Sequence, residues 1–191
     1  MVMVWQATPA LTRAGAQSTT GGIVALAMFR ELGPVLSAVV LAGRVGAAIT
    51  AEIGSMKVTE QIDALRVMAT DPVGYLVVPR FVACILMTPI IVTFANFMGI
   101  AGGLFVAMTH TNVSVYSFIH SIETFTELSD FTGGLIKSMF FGGIVALVGC
   151  IKGMGAKEGA EGVGHATTGS VVTSIVWIFV VNFFLSTWLY R

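Results

Sequence analysis

The chain has 191 residues, of which 55% are hydrophobic and only 10% are charged. A soluble domain carries about 25% charged residues, so this composition, with a mean hydropathy of +0.89, excludes an ordinary soluble fold and indicates an integral membrane protein. The formal net charge of +0 offers no basic surface to a nucleic-acid partner.

The opening MVMVWQATPALTRAG lacks the basic region and the length of apolar region of a signal peptide, and reads as the tail of an apolar segment. A bilayer core of about 30 Å needs about 20 apolar helical residues. The first stretch that long, residues 21–51, is interrupted by Arg30, Glu31 and Arg44, and Gly33-Pro34 should kink or break it. It is expected to form one bent span or two half-helices.

Charges at the bilayer centre cost roughly 2.5–3.5 kcal/mol on insertion scales and face a cavity or a partner. Arg30 and Glu31 are adjacent, so on a helix they project about 100° apart and cannot simply pair with each other. At least one needs another partner. Arg44, fourteen residues beyond Arg30, falls on about the same face of a continuous helix, which could hold an anion such as a lipid phosphate. Arg30 and Glu31 can line a cavity or form salt bridges that fix packing. Arg44 and Glu52 read better as structural charges. Gly33, Gly43, Gly46, Ala47 and Ala48 give the same segment a surface for close helix approach.

After Gly54 the pattern becomes that of a short amphipathic helix, residues 59–68. Val58, Ile62, Leu65 and Ala69 fall on one face, while Glu60, Gln61, Asp63 and Arg66 occupy others, and Asp71-Pro72 closes it. Its polar face is not rich in Lys and Arg, so docking to another protein fits better than lying on lipid.

Residues 81–108 hold no charge and form the second span, with Cys84 as a small packed thiol. The following loop has Glu123, Glu127 and Asp130 as its charges and Phe118, Ile122 and Phe125 at helical spacing, a short helix lying on the outer membrane surface. His110 and His120 are ten residues apart, too far for a zinc pair on one helix. Residues 131–151, with Cys150, make the third span if Lys137 sits near one end and snorkels to the headgroups.

The next loop carries Gly153, Gly155, Gly159, Gly162 and Gly164, but the third glycine of a G-x-G-x-x-G register is Glu158, and no G-x-x-x-x-G-K-[ST] exists. Residues 168–190 form the last span and end in the interfacial pair Trp188 and Tyr190. Lys57, Arg66 and Arg80 in one loop, and Lys152 and Lys157 in another, place those loops in the cytoplasm. The loop 109–130 contains neither residue type, and Arg13 and Arg191 at the outer ends weaken the pattern slightly.

These elements describe an all-α integral membrane protein with four complete transmembrane helices, the first kinked, in one domain. No nucleophile or metal motif such as HExxH or G-x-S-x-G is present, so the chain is not expected to be an enzyme or to bind a cofactor. Transport energised by another subunit remains. The alternative is a non-transporting membrane scaffold that docks a cytoplasmic partner, and a channel gains little from this charge pattern.

The strings RELGPVLSAVVLAGRVGAAITAEIGSMKVTEQIDALRVMATDP, YLVVPRF, LIKSMFFGGIVALVGCIKG and GAEGVGHATTGSVV closely resemble the MlaE/YrbE family of permease subunits. The resemblance covers nearly the whole chain. It implies a homodimeric permease in the bacterial inner membrane, bound by a cytoplasmic ABC ATPase dimer and an outer MCE-domain lipid-binding protein, with a phospholipid cavity between the two permease copies. Arg30 and Glu31 would lie near that cavity, and Glu60, Gln61, Ile62, Asp63, Leu65 and Arg66 would belong to the segment that contacts the ATPase. By the same resemblance the chain is expected to lack an N-terminal interfacial helix and most of a first span, making 21–51 the family's second span.

Overall fold

Helix formation in an apolar run satisfies every backbone polar group internally, and here it extends further than the charge-free stretches alone suggest. The computed structural model describes residues 19–110, 114–157 and 159–190, with no side chain described for His110. Arg13, Glu158, Arg191 and the opening MVMVWQ lie outside the described residues. Among the described residues the chain is all-α. Four helices are long and apolar enough to cross a membrane: α1 (Thr20–Val58), α3 (Val73–Thr109), α5 (Leu128–Met154) and α6 (Gly159–Leu189). Two short ones, α2 (Gln61–Val67) and α4 (Val115–Phe125), lie between them in sequence.

The first span neither breaks nor splits at Gly33-Pro34. Proline removes a donor, and α1 absorbs that loss by widening to a π-turn over Met28–Leu32, with the Gly33 N–H donating to the Met28 carbonyl. A second π-turn covers Ala42–Gly46. The glycine-rich loop is also shorter than expected: α5 runs to Met154 and α6 begins at Gly159, so most of residues 152–165 is helix. Asp71 closes α2 in the sequence pattern, but its carboxylate caps the start of α3, accepting from the N–H groups of Val73 (3.1 Å) and Gly74 (2.9 Å).

The described residues divide into two compact units, one made of those up to Pro34 with those in Ile91–Ile136, and the other of Val35–Ile90 with those from Lys137 onward. In the first, Val24, Ala107 and Phe118 form the core. The amphipathic α4 packs on the start of α1 where Gly21 and Gly22 leave room: a side chain at Gly22 would meet the Phe125 Cβ at 2.6 Å. The vacated space lets the Gly22 N–H donate to Ser121 Oγ at 3.0 Å.

In the second unit, one cluster gathers Val35, Ala38, Ala42, Phe141, Val145 and Ile178, and another gathers Ile49, Ile53, Ile62, Leu76, Val77 and Cys150. The packing seam read from the sequence is only partly used, since Gly46 faces Val145 whereas nothing lies within 4 Å of a side chain placed at Gly43. Close approach of α1 and α5 comes instead at Thr50, whose Oγ1 donates to the Gly149 carbonyl (3.1 Å) as well as to that of Gly46 (2.8 Å).

Lys137 departs from expectation. It lies about 14 Å of helix rise beyond Leu128, is fully buried, and does not snorkel. Its Nζ donates to Ser186 Oγ (2.7 Å) and stands 4.9 Å from the centre of the Tyr190 ring. A polar partner on the last turn of α6 and an aromatic one just past its end replace water there.

Candidate functional sites

Arg30 sits in the π-turn of α1, and the partner its sequence position demands is Asp130. The Arg30 Nε donates to Asp130 Oδ1 at 2.7 Å and a second guanidinium nitrogen lies 2.6 Å from the same oxygen. Asp130 is buried, while Arg30 keeps 37% of its side-chain exposure. The other oxygen, Oδ2, accepts from the N–H of Glu127 at 3.0 Å. Asp130 is the third residue of α5, so this is the backward half of a capping box. One carboxylate thus starts α5 and holds the cation of α1 in place.

Phe29 and Phe131, the neighbours of this pair in sequence, meet edge to face with ring centroids 5.5 Å apart. With Asn96 and Phe97 they line an almost wholly apolar cavity of about 220 Å3. The Asn96 Oδ1 is buried with no hydrogen-bond partner among the described residues, and its side chain occupies the space that any residue larger than Gly33 would need. Glu31 is half-buried on the same turn. Neither Arg30 nor Glu31 is among the residues that line the cavity, whose aromatic walls suit an apolar group.

Asn96, Phe29 and Phe131 were not among the candidate site residues of the sequence, and Asp130 was read there only as a charge of the outer loop. Asp130 carried a usable signal, an acidic residue three positions after Glu127 and directly before an apolar run.

At the other candidate site, α2 is fastened to the rest of its unit. Ile62 is 1% exposed in the core cluster that also takes Leu65. Asp63 accepts from Lys57 Nζ (2.9 Å) and from Arg66 (2.9 Å). The Lys57 hydrogen bond, ahead of the Lys57 and Arg66 charges, holds the Asp63 carboxyl below its ordinary value. Ile62 and Leu65, read from sequence as docking residues, therefore face the chain's own core.

The outward set is Glu60, Gln61, Ala64 and Arg66, followed by Val67 at 88% and Met68 at 66% exposure. The helix is bracketed by two non-glycine residues in the left-handed region, Glu60 (φ 61°) and Ala69 (φ 55°). At Ala69 this serves a Schellman closure: the Thr70 N–H donates to the Leu65 carbonyl and that of Ala69 to Arg66, both at 3.0 Å.

The two charges expected to be structural behave differently. Glu52 pairs with Arg80 at 3.0 Å. Arg44 does not join it, and its exposed side chain has no ion pair or hydrogen bond among the described residues.

Residues 1–188 match the family described as Permease MlaE. The chain belongs to that family. A probable ABC transporter permease protein of Synechocystis is 51% identical over 175 residues, 92% of this chain and 66% of that protein. One from Rickettsia typhi is 40% identical over 190 residues, 100% of this chain and 73% of its own length. The chloroplastic protein TRIGALACTOSYLDIACYLGLYCEROL 1 of Arabidopsis thaliana is 38% identical over 180 residues, 94% of this chain and 51% of that protein. The MlaE-family chain thus spans about two thirds of the Synechocystis relative's length, and its four long apolar helices make it a multi-pass membrane protein.

Proposed function

We propose that this chain is the permease subunit of an ABC transporter that moves phospholipid between a bacterial inner membrane and an MCE-domain partner. A second copy of the chain completes the permease, and a separate cytoplasmic ATPase dimer drives it. The Synechocystis and Rickettsia relatives, each a probable ABC transporter permease protein, support the transporter class.

The observation that carries the proposal is α2, a short helix outside the spans, pinned by Ile62 and Asp63 and ending in the exposed Val67 and Met68. A helix held this firmly can pass a push from a partner into α1 and α3 rather than yield to it. Gln61, Arg66, Val67 and Met68 are the contact residues in this account, while Ile62 and Leu65 support them from behind. In this account Arg30 and Glu31 meet the lipid headgroup, and the cavity lined by Phe29, Asn96, Phe97 and Phe131 takes part of its apolar body.

Co-purification tests the docking half. Val67→Asp should abolish association with the cognate ATPase and leave membrane insertion intact. Undiminished association would remove α2 from the interface, and a complex that contains the ATPase but no phospholipid would favour a scaffold.

A further inference from the structure

Arg44 is the only ionisable residue between Glu31 and Glu52 in α1. It lies about 12 Å of helix rise before Glu52, on a π-turn, a feature frequent at functional positions. Beside it, the position of a Gly43 side chain is open space. One and two turns earlier, Val40 (69%) and Leu36 (56%) are exposed as well. The side chain is thus a cation on an apolar, outward face.

The neighbouring cations show what is missing. Arg80 has Glu52, and both Lys57 and Arg66 have Asp63. Within α1 the other carboxylate, Glu31, stands about 20 Å of helix rise before Arg44, and no carboxylate falls between Asp71 and Glu123, between Asp130 and Glu158, or beyond Glu161. An uncompensated charge at such a position is costly, and a lipid phosphate is an anion that an apolar, outward face meets in a bilayer.

We propose that Arg44 binds the phosphate of a lipid headgroup, with Val40 and Leu36 along its apolar body, and that this makes α1 selective for phosphate-bearing lipids over uncharged glycolipids. A guanidinium presents a planar fork that phosphate oxygens accept in pairs. The proposal rests on the lipid reading given above and adds to it a selecting residue distinct from Arg30.

The test is native mass spectrometry of the complete chain in dodecylmaltoside, titrated with phosphatidylglycerol and, separately, with digalactosyldiacylglycerol. The wild-type chain should prefer phosphatidylglycerol by about tenfold or more, the worth of a charge-assisted hydrogen bond. Arg44→Gln should erase that preference while leaving the glycolipid affinity within about twofold, and Arg44→Lys should retain most of it. A preference that survives Arg44→Gln overturns the proposal. So does displacement of the lipid by equimolar inorganic phosphate, which would make this a free-anion site. A changed oligomeric mass with unchanged lipid affinities also overturns it, in favour of a contact between copies.

Should Arg44→Gln not fold, solid-state NMR of guanidine-labelled wild-type chain in phosphatidylglycerol bilayers decides: dephasing of the Arg44 signal by phosphorus supports the proposal, and its absence overturns it. The two readings fail separately. ATP-driven lipid transfer that ignores Arg44→Gln refutes only the role of Arg44, and Arg44-dependent binding without transfer refutes only the transporter.

Discussion

Arg30 and Asp130, one hundred positions apart, join the first span to the start of the third through a 2.7 Å hydrogen bond from guanidinium to carboxylate. The bond ties a π-turn, where the helix has already given up regular geometry to pass Gly33-Pro34, to a residue that also caps another helix. Substitution at Asp130 therefore acts on both elements at once.

Asp130→Asn keeps a group able to accept from the Glu127 N–H but removes the negative charge that Asp130 presents to Arg30. Breaking a fully buried pair costs about 3–5 kcal/mol, and the 37% exposure of Arg30 reduces this to about 2 kcal/mol. Thermal unfolding in detergent should show that loss, and Asp130→Ala, which also removes the cap, should lose about 1 kcal/mol more. Equal stability of both variants and the wild type would mean that the pair does not hold α1 and α5 together.

This pair also marks where sequence reasoning stops. The four spans, the amphipathic helix after Gly54 and the short helix around Phe118 were legible because hydrophobic length and periodicity are local properties. That Arg30 needed a partner followed from geometry, but which carboxylate supplied it is a long-range fact that no spacing records. Ile62 and Leu65 show a second limit: periodicity identifies the apolar face of a helix, not whether the chain itself or a partner covers it. Lys137 shows a third, since a lysine near a span end snorkels only where the neighbouring helix does not offer it Ser186 and Tyr190.

Ile62 and Val67 should separate under mutation. Ile62→Ala empties a fully buried site and should cost about 3 kcal/mol of stability, read as a lower unfolding temperature. Val67→Ala, at an 88% exposed position, should shift stability by no more than about 0.5 kcal/mol. The reverse ranking would show that α2 is turned the other way.

Ala69 holds a left-handed conformation that disfavours a side chain, at φ 55°. Ala69→Gly removes that penalty at some entropic cost, for a net gain of about 0.5 kcal/mol, whereas Ala69→Val should destabilise. Amide exchange at Thr70, whose N–H closes the motif on Leu65, should slow in the glycine variant. Faster exchange there would exclude the Schellman closure.

Asp63 gives the attachment of α2 a defined pH response. Its carboxyl lies below its ordinary value of 3.8, first through the Lys57 hydrogen bond. A depressed folded value means the stabilisation is fully present above the unfolded value and is lost as pH falls through the folded one. Limited proteolysis of the 59–71 segment should thus be unchanged from neutral pH down to the ordinary carboxylate value and increase only below it. Asp63→Asn should show the increased cleavage at neutral pH. Acid-sensitive cleavage that persists in Asp63→Asn would assign the response to another group.

The central claim is that this chain carries lipid when a separate ATPase drives it. The most direct measurement is transfer of headgroup-labelled phosphatidylglycerol out of proteoliposomes containing the chain, its cognate ATPase and the MCE-domain partner, with and without hydrolysable ATP. The account predicts transfer that requires both the chain and ATP hydrolysis and that falls when Glu31 is replaced by Lys. Transfer at the same rate without ATP, or an assembled complex that hydrolyses ATP and moves no phospholipid, would contradict it.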